Sequence, residues 1–154
     1  MCGICGIVDY SGRPIEPTAV NRMRDAMFNR GPDDADTKLL PFVGLGHRRL
    51  SIIDLSPRGR NPMANEDGTI RIVFNGEIYN YEDLRPDLVR RGHVFRSQTD
   101  TEVIIHLYEE LGAESIQRLN GMFAFALWDE GRRRLLPRGG SSSSTHLENG
   151  WCEP

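Results

Sequence analysis

Short apolar segments alternate with longer amphipathic ones along most of this chain, and the two patterns predict different elements. Apolar, β-branched or alternating runs are typical of strands, and they cover residues 5–10, 42–50, 69–75, 123–129 and 133–136. Apolar residues at helical spacing predict helices over residues 17–28, 82–91 and 100–111. Two sheets packed face to face, with helices outside, would bury all of these apolar faces, so the pattern favours a layered α+β fold.

The strongest helical pattern lies at residues 100–111. A wide apolar stripe runs along this segment, and Gly112 follows it as a residue that can end a helix. Thr99 and Glu102 have the spacing of a capping box, which predicts that the helix begins there. The preceding helix is weaker because Pro86 cannot donate a backbone hydrogen bond, so we expect that helix to begin late or to kink.

The sequence changes character after Leu136. Two glycines and four serines follow within a short distance, and the remainder is polar. Such a composition is typical of segments that form no packed core. We therefore divide the chain into a domain at residues 1–136 and a disordered or non-native tail at residues 137–154.

Charge and hydropathy exclude several classes of partner. The net charge of -3 gives no electrostatic basis for binding nucleic acid. No apolar run approaches the roughly 18 residues of a membrane-spanning helix, and the amino terminus lacks the pattern of a secretory signal. Three cysteines in such a chain indicate reduced thiols and a cytoplasmic protein.

Cys2 is the first candidate for chemistry. A cysteine thiol with an ordinary pKa is only a few per cent thiolate at neutral pH and needs a base. If Met1 is removed, Cys2 carries a free α-amine, whose ordinary pKa of about 7.7–8.0 suits it to accept the thiol proton. One residue would then supply both nucleophile and base, as in N-terminal nucleophile hydrolases.

Cys2 and Cys5 also have the spacing of a C-x-x-C motif, which raises a zinc and a redox alternative. A structural zinc site normally needs four ligands, and the other candidate ligands are histidines scattered along the sequence at His47, His93, His106 and His146. Redox motifs of this kind lie at a helix N-terminus, whereas this pair leads into a predicted strand. We therefore predict no metal site and interpret Cys5 as a small core residue.

Six short motifs occur in an order that resembles the glutaminase domain of class II glutamine amidotransferases, and most of all that of glutamine-hydrolysing asparagine synthetases. They lie at residues 2–7, 30–34, 46–54, 75–80, 97–102 and 121–126. The resemblance extends from Met1 to about Leu136. It implies a four-layer αββα sandwich of the N-terminal nucleophile hydrolase type, truncated at its carboxyl end, that hydrolyses the side-chain amide of glutamine to glutamate and ammonia.

The resemblance also implies roles for three catalytic residues. Cys2 Sγ would attack the amide carbon and form a thioester, while its α-amine, directly or through a water, moves the proton. The Asn75 side chain and the Gly76 backbone N–H would hold the oxyanion. From the residues alone, Asn75-Gly76 is equally a strong signal for a hairpin turn after the preceding strand.

The resemblance assigns further residues to the substrate. Arg49 would pair with the substrate carboxylate, and Asp100, with Glu77, would face its ammonium group. A carboxylate such as Asp100 is also favourable in the first turn of a helix without any ligand. The full set of predicted substrate-binding residues is Arg49, Leu50, Ile52, Ile53, Asn75, Gly76, Glu77 and Asp100, of which Ile52 and Ile53 are equally plausible as plain core.

Asparagine synthetases also carry a phosphate loop with a Ser-Gly-Gly-Asp-Ser-like sequence, and nothing in this chain matches it. We therefore expect no cofactor in this chain, with ATP and Mg²⁺ only on an absent synthetase domain. The expected partners are L-glutamine and a synthetase domain or subunit that receives the ammonia, but neither nucleic acid nor membrane. The alternative to an active glutaminase is a truncated, non-catalytic remnant that binds glutamine.

Overall fold

The computed structural model describes residues 1–51 and 56–141, which form two antiparallel sheets. The first sheet has the order β1-β3-β2, with β1 at Gly3–Val8, β2 at Asp34–Leu39 and β3 at Val43–Arg49. The second has the order β4-β5-β6-β7, with strands at Met63–Ala64, Ile70–Ile78, Gly121–Asp129 and Arg134–Ser141. The predicted α+β class is confirmed.

Three α-helices and three short 3₁₀ helices complete the described chain. The α-helices are α1 at Pro17–Asp25, α2 at Tyr81–Arg90 and α3 at Asp100–Leu111. The 3₁₀ helices are Phe28–Arg30, Pro57–Gly59 and Gly112–Arg118. In the part of the chain that the structure describes, no helix is long and apolar enough to cross a membrane.

Two apolar clusters hold these elements together. A small cluster joins β3 to β5 and β6, and it consists of Val43, Leu45, Val73 and Trp128. A larger one packs the second sheet against α2 and α3, through residues such as Phe74, Leu88 and Ile104. Glycines in β3 let α1 pack closely on the first sheet, because a Cβ at Gly44 would lie 2.6 Å from Val20 Cγ2.

The helix predicted at residues 100–111 has those bounds in the structure, but the predicted capping box is wrong. Thr99 makes no side-chain cap hydrogen bond. Glu102 instead accepts hydrogen bonds from Arg96 N–H and Ser97 N–H, each at 2.8 Å, and from Ser97 Oγ. The buried Glu102 thus holds the segment before α3 in place rather than closing the helix's first turn.

The prediction that the strand at residues 69–75 ends in a turn at Asn75-Gly76 is also wrong. β5 continues to Ile78, and Asn75 and Gly76 pair with Ala124 and Phe123 of β6. Gly76 has a φ of +148°, and a Cβ there would lie 2.3 Å from the Met122 carbonyl oxygen. A glycine is therefore required for close strand pairing at this point, which explains the turn-like sequence without a turn.

Other boundaries differ from the predictions as well. The sequence signals missed β2, which lies at the edge of the first sheet and carries charged residues, a common property of edge strands. Pro86 lies inside α2, which begins five residues before it. β7 extends to Ser141, beyond the predicted end of the domain at Leu136. The rest of the predicted tail, at 142–154, lies outside the described residues.

Candidate active site

A cavity of about 330 Å³ lies where the first and second sheets meet the start of α3. Most of the predicted site residues line it, although they come from distant parts of the sequence. They are Cys2, Arg49, Leu50, Asn75, Gly76, Glu77 and Asp100. Ile52 and Ile53 lie outside the described residues, so their predicted place in the pocket stays a prediction. The volume falls within the range of small-molecule sites.

Cys2 precedes β1 and is held at the edge of the cavity by its neighbours. Its Sγ accepts a hydrogen bond from Leu50 N–H at 3.3 Å and lies 3.7 Å from the Leu50 carbonyl oxygen. Arg30 Nε donates to the Cys2 carbonyl oxygen at 3.1 Å. The backbone of Leu50 therefore fixes the half-buried thiol, and Arg30 fixes the Cys2 main chain, at the point where β1 begins and β3 ends.

Cys5 has a different environment from Cys2. Its Sγ lies 3.9 Å from the Val20 carbonyl oxygen of α1, whereas Cys2 Sγ faces Leu50 and the cavity. Burial raises the pKa of the Cys5 thiol, with smaller opposing effects from Arg24 and the backbone. The two sulfurs are thus held by different elements, which fits the interpretation of Cys5 as a packing residue.

Asn75 reaches the cavity because of the alternation along β5. Ile72 and Phe74 belong to the helix-side cluster, and Val73 belongs to the cluster between the sheets. Successive side chains of a strand point to opposite faces, so Asn75 shares the face of Val73 and is directed towards the first sheet, which carries Cys2. The next residue, Gly76, offers backbone without a side chain at the same cavity.

Arg48 and Arg49 are adjacent in β3 and face opposite ways, because successive side chains of a strand alternate between its two faces. The Arg48 guanidinium lies over the Phe28 ring, 4.7 Å from its centroid. Arg49 is only 7% exposed, lines the cavity and donates from Nη1 to the Ser56 carbonyl oxygen at 3.0 Å. The cavity therefore contains a buried guanidinium, a group suited to binding a carboxylate.

Asp100 supplies the opposite charge. It is the first residue of α3, is 3% exposed, and accepts a hydrogen bond at Oδ2 from Ile78 N–H at 2.8 Å. Burial raises the pKa of its carboxyl, backbone hydrogen bonds oppose that rise, and the nearby Glu77 carboxylate adds to it. Asp100 therefore both begins α3 and lines the cavity, and the two carboxylates make this end of the cavity electronegative; its contact with a substrate ammonium stays a prediction.

His47 also lines the cavity, although in the sequence it is one of four scattered histidines. It is 2% exposed, and its Nε2–H donates to the Phe74 carbonyl oxygen at 3.1 Å, which links β3 to β5 beside Asn75. Burial lowers the pKa of His47 to about 4, so its ring is neutral at neutral pH. Its position two residues before Arg49, on the same face of a strand, was the signal that could have identified it.

Asn61 is a second cavity residue that the sequence did not identify. Its side chain is 5% exposed, and its buried Oδ1 has no hydrogen-bond partner among the described residues. A buried acceptor without a partner is costly unless a ligand or water satisfies it. The residue lies in a stretch rich in Pro, Gly and Asn, where nothing in the sequence distinguishes a site residue from a loop residue.

Comparison with known proteins identifies the family. Residues 1–139 match the model of the glutamine amidotransferase domain. Asparagine synthetase [glutamine-hydrolyzing] 3 of Bacillus subtilis is 45% identical over 139 residues, which are 88% of this chain and 22% of that protein. The protein of the same name from Arabidopsis thaliana is 39% identical over 98% of this chain and 26% of its own length.

A solved structure supports the same assignment. The glutamine phosphoribosylpyrophosphate amidotransferase of B. subtilis, complexed with ADP and GMP, matches with a TM-score of 0.50 and 25% identity. The match covers 60% of this chain and 22% of that one. The resemblance inferred from the six motifs is thus confirmed, while the chain spans only about a quarter of the length of its curated relatives. With a family match that extends from residue 1 to residue 139, this chain belongs to the glutamine amidotransferase domain family.

Proposed function

We propose that Cys2, freed by removal of Met1, hydrolyses the side-chain amide of L-glutamine in this cavity. Cys2 Sγ attacks the amide carbon while the Cys2 α-amine, directly or through a water, accepts the thiol proton. The α-amine then protonates the leaving nitrogen, so ammonia departs and a thioester remains. Water hydrolyses the thioester to glutamate and restores the thiol. The observation that carries this proposal is the convergence of Cys2, Asn75, Arg49 and Asp100 on one cavity.

The tetrahedral intermediate would place its negative oxygen between Asn75 and Gly76. The Asn75 side chain and the Gly76 N–H are donors of the kind that stabilise developing charge in a buried site. β5 holds both residues in register against Ala124 and Phe123, so these donors need little reorganisation when the charge forms. A paired strand therefore suits the proposed role of Asn75 and Gly76 better than a turn would, because it holds both donors rigidly.

The two ends of the cavity would bind the two charged groups of the substrate. Arg49 pairs with the α-carboxylate, and Asp100, with Glu77, binds the α-ammonium. The ammonium favours the ionised form of Asp100 and so offsets the effect of burial on its carboxyl. Leu50 contacts the aliphatic part of the substrate. Ile52 and Ile53 complete the pocket in this proposal.

The layered architecture belongs to the proposal as well. α1 packs on the first sheet, the cluster of Val43, Leu45, Val73 and Trp128 joins the two sheets, and α2 and α3 pack on the second sheet. These contacts support an αββα sandwich of the N-terminal nucleophile hydrolase type. In this arrangement both sheets contribute to the site, because Arg49 belongs to the first sheet and Asn75 to the second, while Cys2 lies immediately before β1.

The wider role of the ammonia depends on protein beyond this domain. The relatives are named as glutamine-hydrolysing asparagine synthetases, and we infer that the ammonia passes to a synthetase domain or subunit that makes asparagine. ATP and Mg²⁺ would bind there, not in this cavity. The free thiols of Cys2 and Cys5 support a reducing compartment such as the cytoplasm.

The decisive experiment measures glutamate and ammonia release from glutamine, together with the amino-terminal mass of the purified protein. We expect a product that begins at Cys2, activity that Cys2→Ala abolishes, and retained activity in Cys5→Ala. An electrophilic glutamine analogue should label Cys2 alone. Full activity with Met1 retained would contradict the mechanism. A thermal shift with glutamine but no ammonia would instead support the non-catalytic alternative.

A further inference from the structure

A second polar cluster lies apart from the active-site cavity. Glu66 precedes β5, His93 follows α2, and His106 lies within α3, so three separate segments contribute to it. Each side chain offers one oxygen or nitrogen atom, and these atoms all lie within 4.8 Å of one another. Within the described residues, none of the three lines the active-site cavity. The catalytic mechanism therefore does not explain why they come together.

His106 is the central observation in this cluster. Its side chain is only 1% exposed, and its Nε2 is buried without a hydrogen-bond partner among the described residues. Its Nδ1 lies 2.7 Å from Glu109 Oε2, so the ring proton is placed on Nδ1, where it donates to that carboxylate. Nε2 is then left with a lone pair and no partner. A buried ring nitrogen whose acceptor lone pair has no partner costs free energy unless a ligand or a hydrogen-bond donor satisfies it.

The carboxylate behind His106 has the geometry of a metal site's outer shell. Metal-binding histidines commonly donate their second ring N–H to a carboxylate, which fixes the tautomer and the ring orientation. Glu109 provides that acceptor and is itself held by Asn65 Nδ2 at 2.8 Å. The Phe95 ring packs edge-on against His106 at a centroid distance of 4.7 Å. The ring is thus held by its contacts before any ligand binds.

His93 brings a second imidazole beside the first. The two histidine rings have centroids 4.6 Å apart. His93 lies between two carboxylates, with Nε2 3.1 Å from Glu110 Oε1 and Nδ1 3.4 Å from Glu109 Oε2, so it must exchange one of these contacts to bind a metal ion. Together with Glu66 and Glu109, Glu110 surrounds the two imidazoles with three carboxylates. Arg91 Nη1 pairs with Glu110 Oε2 at 3.2 Å, so one guanidinium faces three carboxylates, and the remaining negative charge favours a cation at the cluster.

We propose that Glu66, His93 and His106 bind a divalent transition-metal ion, with Zn²⁺ as the best match. Two imidazole nitrogens and one carboxylate oxygen form a common zinc ligand set, with a water in the fourth position. Mg²⁺ and Ca²⁺ prefer oxygen ligands and match this set less well. A bound ion would tie the loop before β5 and the segment after α2 to α3.

Binding requires a modest contraction of the cluster. Zinc bonds of about 2.0–2.1 Å in tetrahedral geometry place ligand atoms roughly 3.3 Å apart, against the present limit of 4.8 Å. Glu66 is exposed and lies in a loop, and His93 lies between two helices, so both can move towards the buried His106. His106 in α3 thus fixes the position of the site, and Glu66 and His93 move towards it when the ion binds.

The first test is the melting temperature of the full chain with and without added Zn²⁺. At about 100 times the dissociation constant, Zn²⁺ should raise the melting temperature by roughly 5–10 °C. Glu66→Gln and His106→Phe should lose this shift, while Glu114→Gln, an exposed glutamate outside the cluster, should keep it. Equal shifts in all variants would overturn the proposal. Glu66 is on the surface, so its variant decides the question even if His106→Phe does not fold.

The second test substitutes Co²⁺ and records its visible spectrum. A site of two histidines and a glutamate should give the d–d bands of four- or five-coordinate Co²⁺ without a thiolate-to-cobalt charge-transfer band. These bands should be absent in Glu66→Gln and present in Glu114→Gln. A thiolate band would show that one of the three cysteines binds the metal instead, and the absence of binding in the wild-type chain would also overturn the proposal.

Discussion

The protein buries apolar surface in two places that differ in size and in what surrounds them. The cluster between the second sheet and its helices is large, and helices α2 and α3 cover it. The cluster between the two sheets is small, and buried polar residues such as His47 and Arg49 lie along the same strand that supplies it. The larger cluster therefore contributes most of the hydrophobic stabilisation, and the smaller one determines how the two halves of the active site meet.

The difference shows where catalytic groups can be placed at low cost. The active-site cavity lies beside the small apolar cluster between the two sheets. Its surroundings are buried enough to lower the pKa of His47 and to raise the pKa of Asp100. The larger cluster consists of apolar and aromatic side chains, and the predicted catalytic residues Cys2, Asn75 and Gly76 are not among them. Substitutions in the two clusters should consequently have different effects on stability and on activity.

The largest effect is expected from truncating a buried side chain in each cluster. Trp128→Ala, between the sheets, should cost about 3–5 kcal/mol of unfolding free energy, and Ile105→Ala, in the helix-side cluster, about 2–5 kcal/mol. At a temperature where both variants remain folded, Trp128→Ala should lose more glutaminase activity, because it loosens the contact that aligns Cys2 with Asn75. Denaturation curves and kcat/KM test this, and equal losses of activity would contradict the comparison.

Asn75→Ala should separate chemistry from stability. Removing one oxyanion donor costs roughly 10²–10³ in kcat, whereas the backbone pairing of residue 75 with Ala124 is retained, so the unfolding free energy should change little. Steady-state kinetics and urea denaturation measure the two quantities. Asn29→Ala, an exposed asparagine outside the cavity, is the matched control. A loss of stability comparable to the loss of rate would assign Asn75 to the structure instead.

His47 should make the protein less stable in acid. Its pKa falls from an ordinary value near 6.5 to about 4 in the folded protein, so the unfolded chain binds more protons between these values. Its contribution to stability is complete above about pH 6.5 and is lost as the pH falls towards 4, an effect of about 3 kcal/mol. His47→Gln should flatten this part of the stability profile. An unchanged slope in that variant would exclude His47 as the cause.

Asp100 should give the smallest and most specific effect, on substrate binding. Its pKa is raised by burial, so protonation of the free protein begins above the ordinary range of an aspartate, and the KM for glutamine should rise as the pH falls through that window. Asp100→Asn should raise KM by roughly 10–100-fold, since a hydrogen bond to a charged group is lost, and should remove the acid dependence. Asp83→Asn, an exposed carboxylate on α2, should change neither.

Local sequence signals were sufficient for much of the fold. The helix at residues 100–111 and most strands follow from apolar spacing, because burial of one face dominates their stability. β2 was missed because an edge strand needs no continuous apolar run. Asn75-Gly76 gives the signal of a turn because the residues that favour turns also permit close backbone approach, and only the pairing with β6 distinguishes the two.

The proposed chemistry of Cys2 follows from the residue itself and the resemblance of six motifs, since a thiol needs a base and these motifs are specific together. The meeting of Cys2, Arg49, Asn75 and Asp100 at one cavity required the tertiary structure, because these residues are far apart in the chain and come from both sheets and a helix. His93 and His106 appeared scattered in sequence, yet their rings lie in contact. Spacing along the chain sets which face a side chain occupies, whereas only the packing of elements decides which faces meet.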